Sequence, residues 1–87
     1  MPVLWIDIPK MLIDAGVVSN LYAARTSSNY ALMWSQGAQL DFSKSSTNLH
    51  RARLRKIGID IKKPYQGELY SLEDSRSIIA QRNSIVS

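Results

Sequence analysis

The sequence predicts an α+β fold, mostly α: a small winged helix-turn-helix-like domain with a β-hairpin after a basic helix. Three observations lead there. Ser45–Gly58 has the start and stop signals of a helix and the densest positive charge in the chain. An aromatic-rich helical pattern ending at glycine, Asn29–Gly37, precedes it. After Gly58 the apolar period drops to two, and a turn signature, Pro64-Tyr65-Gln66-Gly67, follows. With 87 residues the chain makes one domain, 1–87, whose core is small.

Pro2–Ile8 is apolar apart from Asp7 and reads as a short strand or an extended arm. Asp7 and Pro9 then open a short helix, Pro9–Ala15, because proline in a first turn gives up an N–H that has no partner there. Met11, Leu12 and Ala15 would face the core, and Gly16 ends the turn. Val17–Arg25 can form a short helical face capped by Ser19, and Thr26-Ser27-Ser28 reads as a loop or a fresh cap. In Asn29–Gln36, Tyr30, Met33 and Trp34 recur at i, i+3, i+4, a stripe that reads as core. Ala38–Lys44 is short, so residues 29–58 form a candidate helix-turn-helix.

The basic helix takes its N-cap from Ser45 or Ser46 and its end from Gly58. Stepping at 100° from Leu49 puts Ala52, Leu54 and Ile57 on a core side, and Thr47, Asn48, Arg51 and Arg55 on a contact side. Residues 59–70 would be the hairpin, with Ile59–Lys63 outgoing and Glu68–Tyr70 returning. Lys62, Lys63 and Tyr65 would then stand on or near the wing. A final helix, 71–82, starts with Ser71 and Asp74 at capping-box spacing.

Charge narrows the function. Eleven Lys/Arg against seven Asp/Glu give a formal charge of +4. Seven of the basic residues and one acid, Asp60, lie between Lys44 and Lys63; elsewhere four basic residues face six acids. That concentration is the footprint of a polyanionic partner. Arginine suits bidentate contacts to phosphate or guanine, and small polar residues stand at the N-terminus of the helix, where recognition helices approach bases. Thr47, Asn48, Arg51 and Arg55 are therefore the candidates for base edges. Lys44, Ser46, Arg53, Lys56, Lys62 and Lys63 are the candidates for phosphates.

The residues offer little to catalysis. His50 is the only histidine and there is no cysteine, so a zinc site has no ligand set. The four glycines are isolated and form no phosphate-cradling loop. The expectation is a non-enzymatic protein without cofactor or metal. Val3–Val18 is too polar for a signal peptide or a membrane span, which points to the cytoplasm and away from membranes. The rival class is a protein-interaction module, an inhibitor of a host protein, using Trp5, Tyr22 and Tyr65.

A family resemblance adds to this. His50-Arg51-x-x-Leu54-x-x-x-Gly58-Ile59-Asp60-Ile61, with Tyr30-Ala-Leu-Met-Trp34-Ser-Gln-Gly37 upstream, resembles the C-terminal region of the replication initiators of filamentous phages and related plasmids. Full-length initiators of that family nick DNA with a tyrosine and a metal held by a His-hydrophobe-His pair, a pair this sequence lacks. The resemblance implies instead the short internal-start product, which modulates replication. The partner implied is nucleic acid, DNA rather than RNA, with a homodimer or a host or phage replication protein as further candidates.

Overall fold

The computed structural model describes residues 2–86; Met1, Ser87 and the side chains of Leu72 and 83–86 lie outside the description. A 3-10 turn, Trp5–Asp7, leads into α1 (Ile8–Asp14), followed by α2 (Leu21–Ser35), α3 (Ser45–Arg55) and α4 (Leu72–Val86). Among the described residues there is no strand, only an isolated parallel bridge between Val3 and Leu69. The α+β winged fold expected from the sequence is thus corrected to an all-helical one.

The hairpin fails for a physical reason. The alternation in 59–63 is real, because Ile59 and Ile61 are both buried with Asp60 between them. No strand lies alongside to accept their ladder bonds, however. The returning segment pairs with the N-terminal arm instead: the Val3 N–H donates to Glu68 O at 2.9 Å, and the Tyr70 N–H to Val3 O at 3.0 Å. Lys62 and Lys63 therefore sit on an irregular loop packed against α2, not on a wing. The loop is held by Trp34, whose indole N–H donates to Lys63 O at 2.7 Å and whose ring meets Tyr65 edge-on at 5.0 Å.

α2 is the central helix and runs straight through Thr26-Ser27-Ser28. The Thr26 hydroxyl donates to Tyr22 O at 2.9 Å and the Ser28 hydroxyl to Arg25 O at 2.8 Å, so both are satisfied within the helix and do not interrupt it. Its cap is Asn20, whose side chain accepts from the Ala23 N–H at 2.8 Å, and not Ser19. The connection from α2 to α3 covers residues 36–44, longer than the roughly 3–4 residues of a helix-turn-helix turn.

α3 begins at Ser45 after Lys44, with no side-chain cap, so the serine cap expected there is absent. Its end is as expected. Gly58, at φ 88°, takes the left-handed conformation that lets Ile59 N–H reach Leu54 O and Gly58 N–H reach Arg55 O. The same pair of bonds closes α1 and α2. α4 is capped by the Ser71 hydroxyl, accepting from Asp74 N–H at 3.0 Å, and runs beyond the expected residue 82. Arg82 ties it to Asp7 at the N-terminal turn, at 3.1 Å.

The core gathers Ile8 and Leu12 of α1, Ala24, Ala31 and Trp34 of α2, Leu54 of α3, and Ile59, Ile61 and Leu69 of the loop. α3 enters it by another face than the sequence suggests. Thr47, His50 and Leu54 are buried, whereas Leu49 is 49% exposed and Ala52 is exposed. This rotation is directly testable by denaturant titration. Leu54→Ala is expected to cost about 2–5 kcal/mol, the range for truncating a buried leucine. Leu49→Ala should stay within about 0.5 kcal/mol, as for surface positions. The reverse order would return Leu49 to the core.

Candidate nucleic-acid interface

The rotation of α3 is set by a polar contact with α2. Ser27 Oγ and His50 Nδ1 share a hydrogen bond of 2.7 Å, and the Tyr30 ring stacks on the imidazole at 4.4 Å. Because α2 is unbroken, Ser27 and Tyr30 stand one turn apart on the flank facing α3. Their contact draws a histidine inward and carries Thr47, Arg51 and Leu54 with it. These four positions fall within roughly 100° of the helix circumference. Burial, and secondarily the positive charge of Arg53, hold the His50 imidazole below its usual pKa, so the neutral ring is favoured.

Arg51, at the edge of this inward face, reaches the loop. Its Nε donates to Asp60 Oδ1 at 2.9 Å and a terminal nitrogen to Oδ2 at 3.3 Å, a bidentate pair. The Lys62 N–H also donates to Asp60, at 3.0 Å, and Arg55 Nε lies 3.9 Å from the carboxylate. The hydrogen bond from Arg51, followed by the Lys62 N–H, keeps Asp60 well ionised, below the usual carboxylate range. The same bond pushes the Arg51 guanidinium up. The one acid in the basic segment thus clamps α3 to the loop that follows it.

The ten residues singled out from the sequence divide accordingly. Thr47 is buried at 3% exposure, and Arg51 is occupied by Asp60, so neither is presented freely to a base. Asn48 is exposed, but its amide donates to Phe42 O at 2.7 Å and Lys44 O at 3.1 Å. Arg55 is exposed beside the clamp. Lys44, Ser46, Lys56, Lys62 and Lys63 are exposed and Arg53 half-buried. None of those five cations has an ion-pair partner among the described residues. Lys62 lies over the Phe42 ring, 5.9 Å from its centre.

Asn48, Arg51 and Arg55 share the flank of α3 that faces the loop, and the contacts through Phe42 and Asp60 bring Lys62 to the same strip. Arg53 is not part of it: at about 100° per residue it lies roughly 160° round the helix from Arg55. It lines a separate hollow with Val17, Val18 and Ala23. Sequence reasoning missed Asp60 and the Ser27–His50 pair. Asp60 had a signal, as the only acid between Lys44 and Lys63. Ser27 has none, because Thr26-Ser27-Ser28 reads as a loop or a fresh cap. Among the described residues no three His, Cys, Asp or Glu side chains cluster as a metal site would require.

Comparison with known proteins fits this chain to the family model described as "Replication-associated protein G2P C-terminal", over residues 12–79. The chain belongs to that family. The match runs from within α1 to within α4 and includes the whole Arg51–Asp60 clamp. Among relatives, the replication-associated protein G2P of Escherichia phage If1 is 52% identical over 54 residues. That alignment covers 62% of this chain and 17% of the phage protein, so the family member described here corresponds to a small part of its relative's length. No solved structure matches. Among the described residues no helix is long and apolar enough to cross a membrane.

The lowered pKa of His50 has a pH consequence with a definite sign. The unfolded chain takes up the proton near pH 6.5 and the folded one only below that, so stability is complete above about 6.5 and falls as the pH drops further. The urea midpoint should decrease between about pH 7.5 and about pH 5.5 in wild type, and His50→Phe should flatten that slope. A wild-type midpoint that does not move over this range would remove His50 as a proton-linked buried group.

Proposed function

We propose that this chain is a non-catalytic DNA-binding module of a phage or plasmid replication system, acting in the host cytoplasm. The observation that carries this is the set of uncommitted cations around the clamp. Lys44, Lys56, Lys62 and Lys63 are exposed on α3 and its adjoining loops with no ion-pair partner among the described residues, and Arg55 is exposed beside Asp60, which Arg51 already occupies. Family membership and the name of the phage relative support replication as the setting.

In this reading the lysines neutralise phosphates and Arg55, on the flank of α3 that it shares with Asn48, is the group best placed to meet base edges, while Ser46, roughly 180° round the helix from Arg55, serves phosphate. Arg51 and Thr47 act indirectly: Arg51 keeps the loop beside α3 through Asp60, and Thr47 is buried on the inward side of the helix. Arg53, on the far flank, serves phosphate only where the nucleic acid wraps round the helix end. The reaction of a full initiator is outside this reading, because the sequence supplies a single histidine, and that histidine is buried.

A salt-titrated binding assay with duplex DNA, single-stranded DNA and RNA tests the proposal. Duplex binding should weaken steeply with salt, and Lys56→Ala and Lys62→Ala should each reduce the log–log slope by about 0.9 on every sequence. Arg55→Ala should cost about 1–3 kcal/mol on a preferred site and less elsewhere if it reads bases. Arg51→Ala should lower the denaturation midpoint, which a pure phosphate contact would leave in place. Salt-independent binding, or tighter binding to RNA than to either DNA, would overturn the assignment.

A further inference from the structure

Across α2 from α3 lies a second feature that nucleic-acid binding does not use. The N-terminal turn and α1 diverge from the first half of α2 and leave a groove of about 500 Å³. Its floor is Trp5, half-buried and fixed by its indole N–H donating to Ser28 O at 3.0 Å. Its walls carry Ile6, Ile13 and Leu21, which are 57%, 37% and 47% exposed. These are three of the largest apolar side chains that the fold leaves in water, and they line one hollow. Scattered exposed leucines need no explanation, but a convergent apolar set rimmed by charge marks a contact site.

The rim gives the sign of the partner. The two charged residues lining the groove are Lys10 and Arg25, and no acid lines it. Lys10 is held at its outer side by Asp14 at 2.6 Å, whereas Arg25 has no ion-pair partner among the described residues. An apolar trough with a free guanidinium at its edge complements a surface that offers aliphatic or aromatic side chains beside a carboxylate. A nucleic acid would supply an anion for Arg25 and a ring for Trp5, but no aliphatic side chains to fill the hollow between Ile6, Ile13 and Leu21. A second copy of this chain, at net +4, would bring like charge to a basic rim.

We propose that this groove docks an acidic amphipathic segment of another protein, a helix that seats two or three apolar side chains at i, i+3, i+4 spacing over Trp5 and pairs a carboxylate with Arg25. This is independent of the DNA reading, because none of the groove residues belongs to α3 or the loop after it. A segment held there would leave the strip around Arg55 open, so the domain could link a protein to nucleic acid.

The test uses the full chain, isotopically labelled, and two synthetic helical peptides: one with leucines at that spacing and glutamates beside them, the other with each Glu replaced by Gln. The chain has two tryptophans, and their indole N–H signals report separately. The Glu peptide should shift the Trp5 signal saturably and leave that of Trp34, which is buried under the loop. The Gln peptide, and the Glu peptide against Arg25→Glu, should bind about tenfold more weakly or worse. Leu21→Ser, at an exposed position that should not disturb folding, should weaken both peptides. Four results would each overturn the proposal: no shift at millimolar peptide, equal binding of both peptides, the same signals moving with protein concentration alone, or the same signals moving with duplex DNA.

Discussion

The contact between His50 and Ser27 decides how the rest of the molecule is presented. An eleven-residue helix such as α3 is marginal on its own and takes its orientation from what it packs against. By hydrophobicity alone it would turn Leu49 and Ala52 inward. Ser27, backed by Tyr30, offers instead a buried partner for an imidazole, and leaving that hydroxyl unpaired would cost about 1–3 kcal/mol, as much as exposing one leucine costs. With His50 inward, Leu54 follows into the core, Thr47 is covered, and Arg51 is aimed along the surface at the chain beyond Gly58.

The second constraint grows from the first. Once Arg51 points at the loop, Asp60 becomes the natural counter-charge, and Ile59 and Ile61 on either side anchor the loop to the core. The loop therefore needs no sheet to be ordered. It is held by two buried isoleucines, one bidentate ion pair and the Trp34 bond to Lys63. The pair also has an electrostatic consequence. Asp60 offsets one positive charge where the basic residues are densest, which keeps Arg51 and Arg55 near each other despite their like charge. The remaining cations stay free around it.

Much of this was legible in the sequence, and the failures have particular causes. The glycine-terminated helices were visible because a positive-φ glycine after an apolar run has one common use, and Gly58 and Gly37 fulfil it. α1, the C-terminal helix and its Ser71 cap were visible for similar local reasons. The family was visible in Tyr30–Ile61, where the motif residues turn out to be Trp34, His50, Arg51, Leu54, Ile59, Asp60 and Ile61, most of them core or clamp. What could not be seen was tertiary. Alternation at Ile59 and Ile61 says that two side chains are buried and one is not, and nothing about whether a strand lies alongside. Thr26-Ser27-Ser28 looks like a break unless one knows that two hydroxyls fold back on their own helix. The expected base-edge face lies opposite Leu49 and Ala52, so the same rotation that buries Thr47 and ties up Arg51 leaves the exposed charge at Arg55, Lys56 and the loop.

A resemblance motif need not be an interface motif. Here the residues that carry the resemblance, His50 through Ile61, are mainly those that lock α3 to α2 and to the following loop. The exposed positions between them, Ala52, Arg55 and Lys56, are those the motif leaves unspecified. That arrangement separates two tasks on one helix: the inward residues hold a geometry, and the outward ones can differ between relatives without disturbing it. The central position of α2 extends the separation. Its flank bearing Ser27 and Tyr30 supports the basic helix, while the flank bearing Leu21 and Arg25 lines the apolar groove. A single continuous helix, unbroken because Thr26 and Ser28 bond back to Tyr22 and Arg25, keeps the two surfaces at a fixed separation. A partner in the groove would therefore stand at a fixed distance and angle from the basic helix, set by α2.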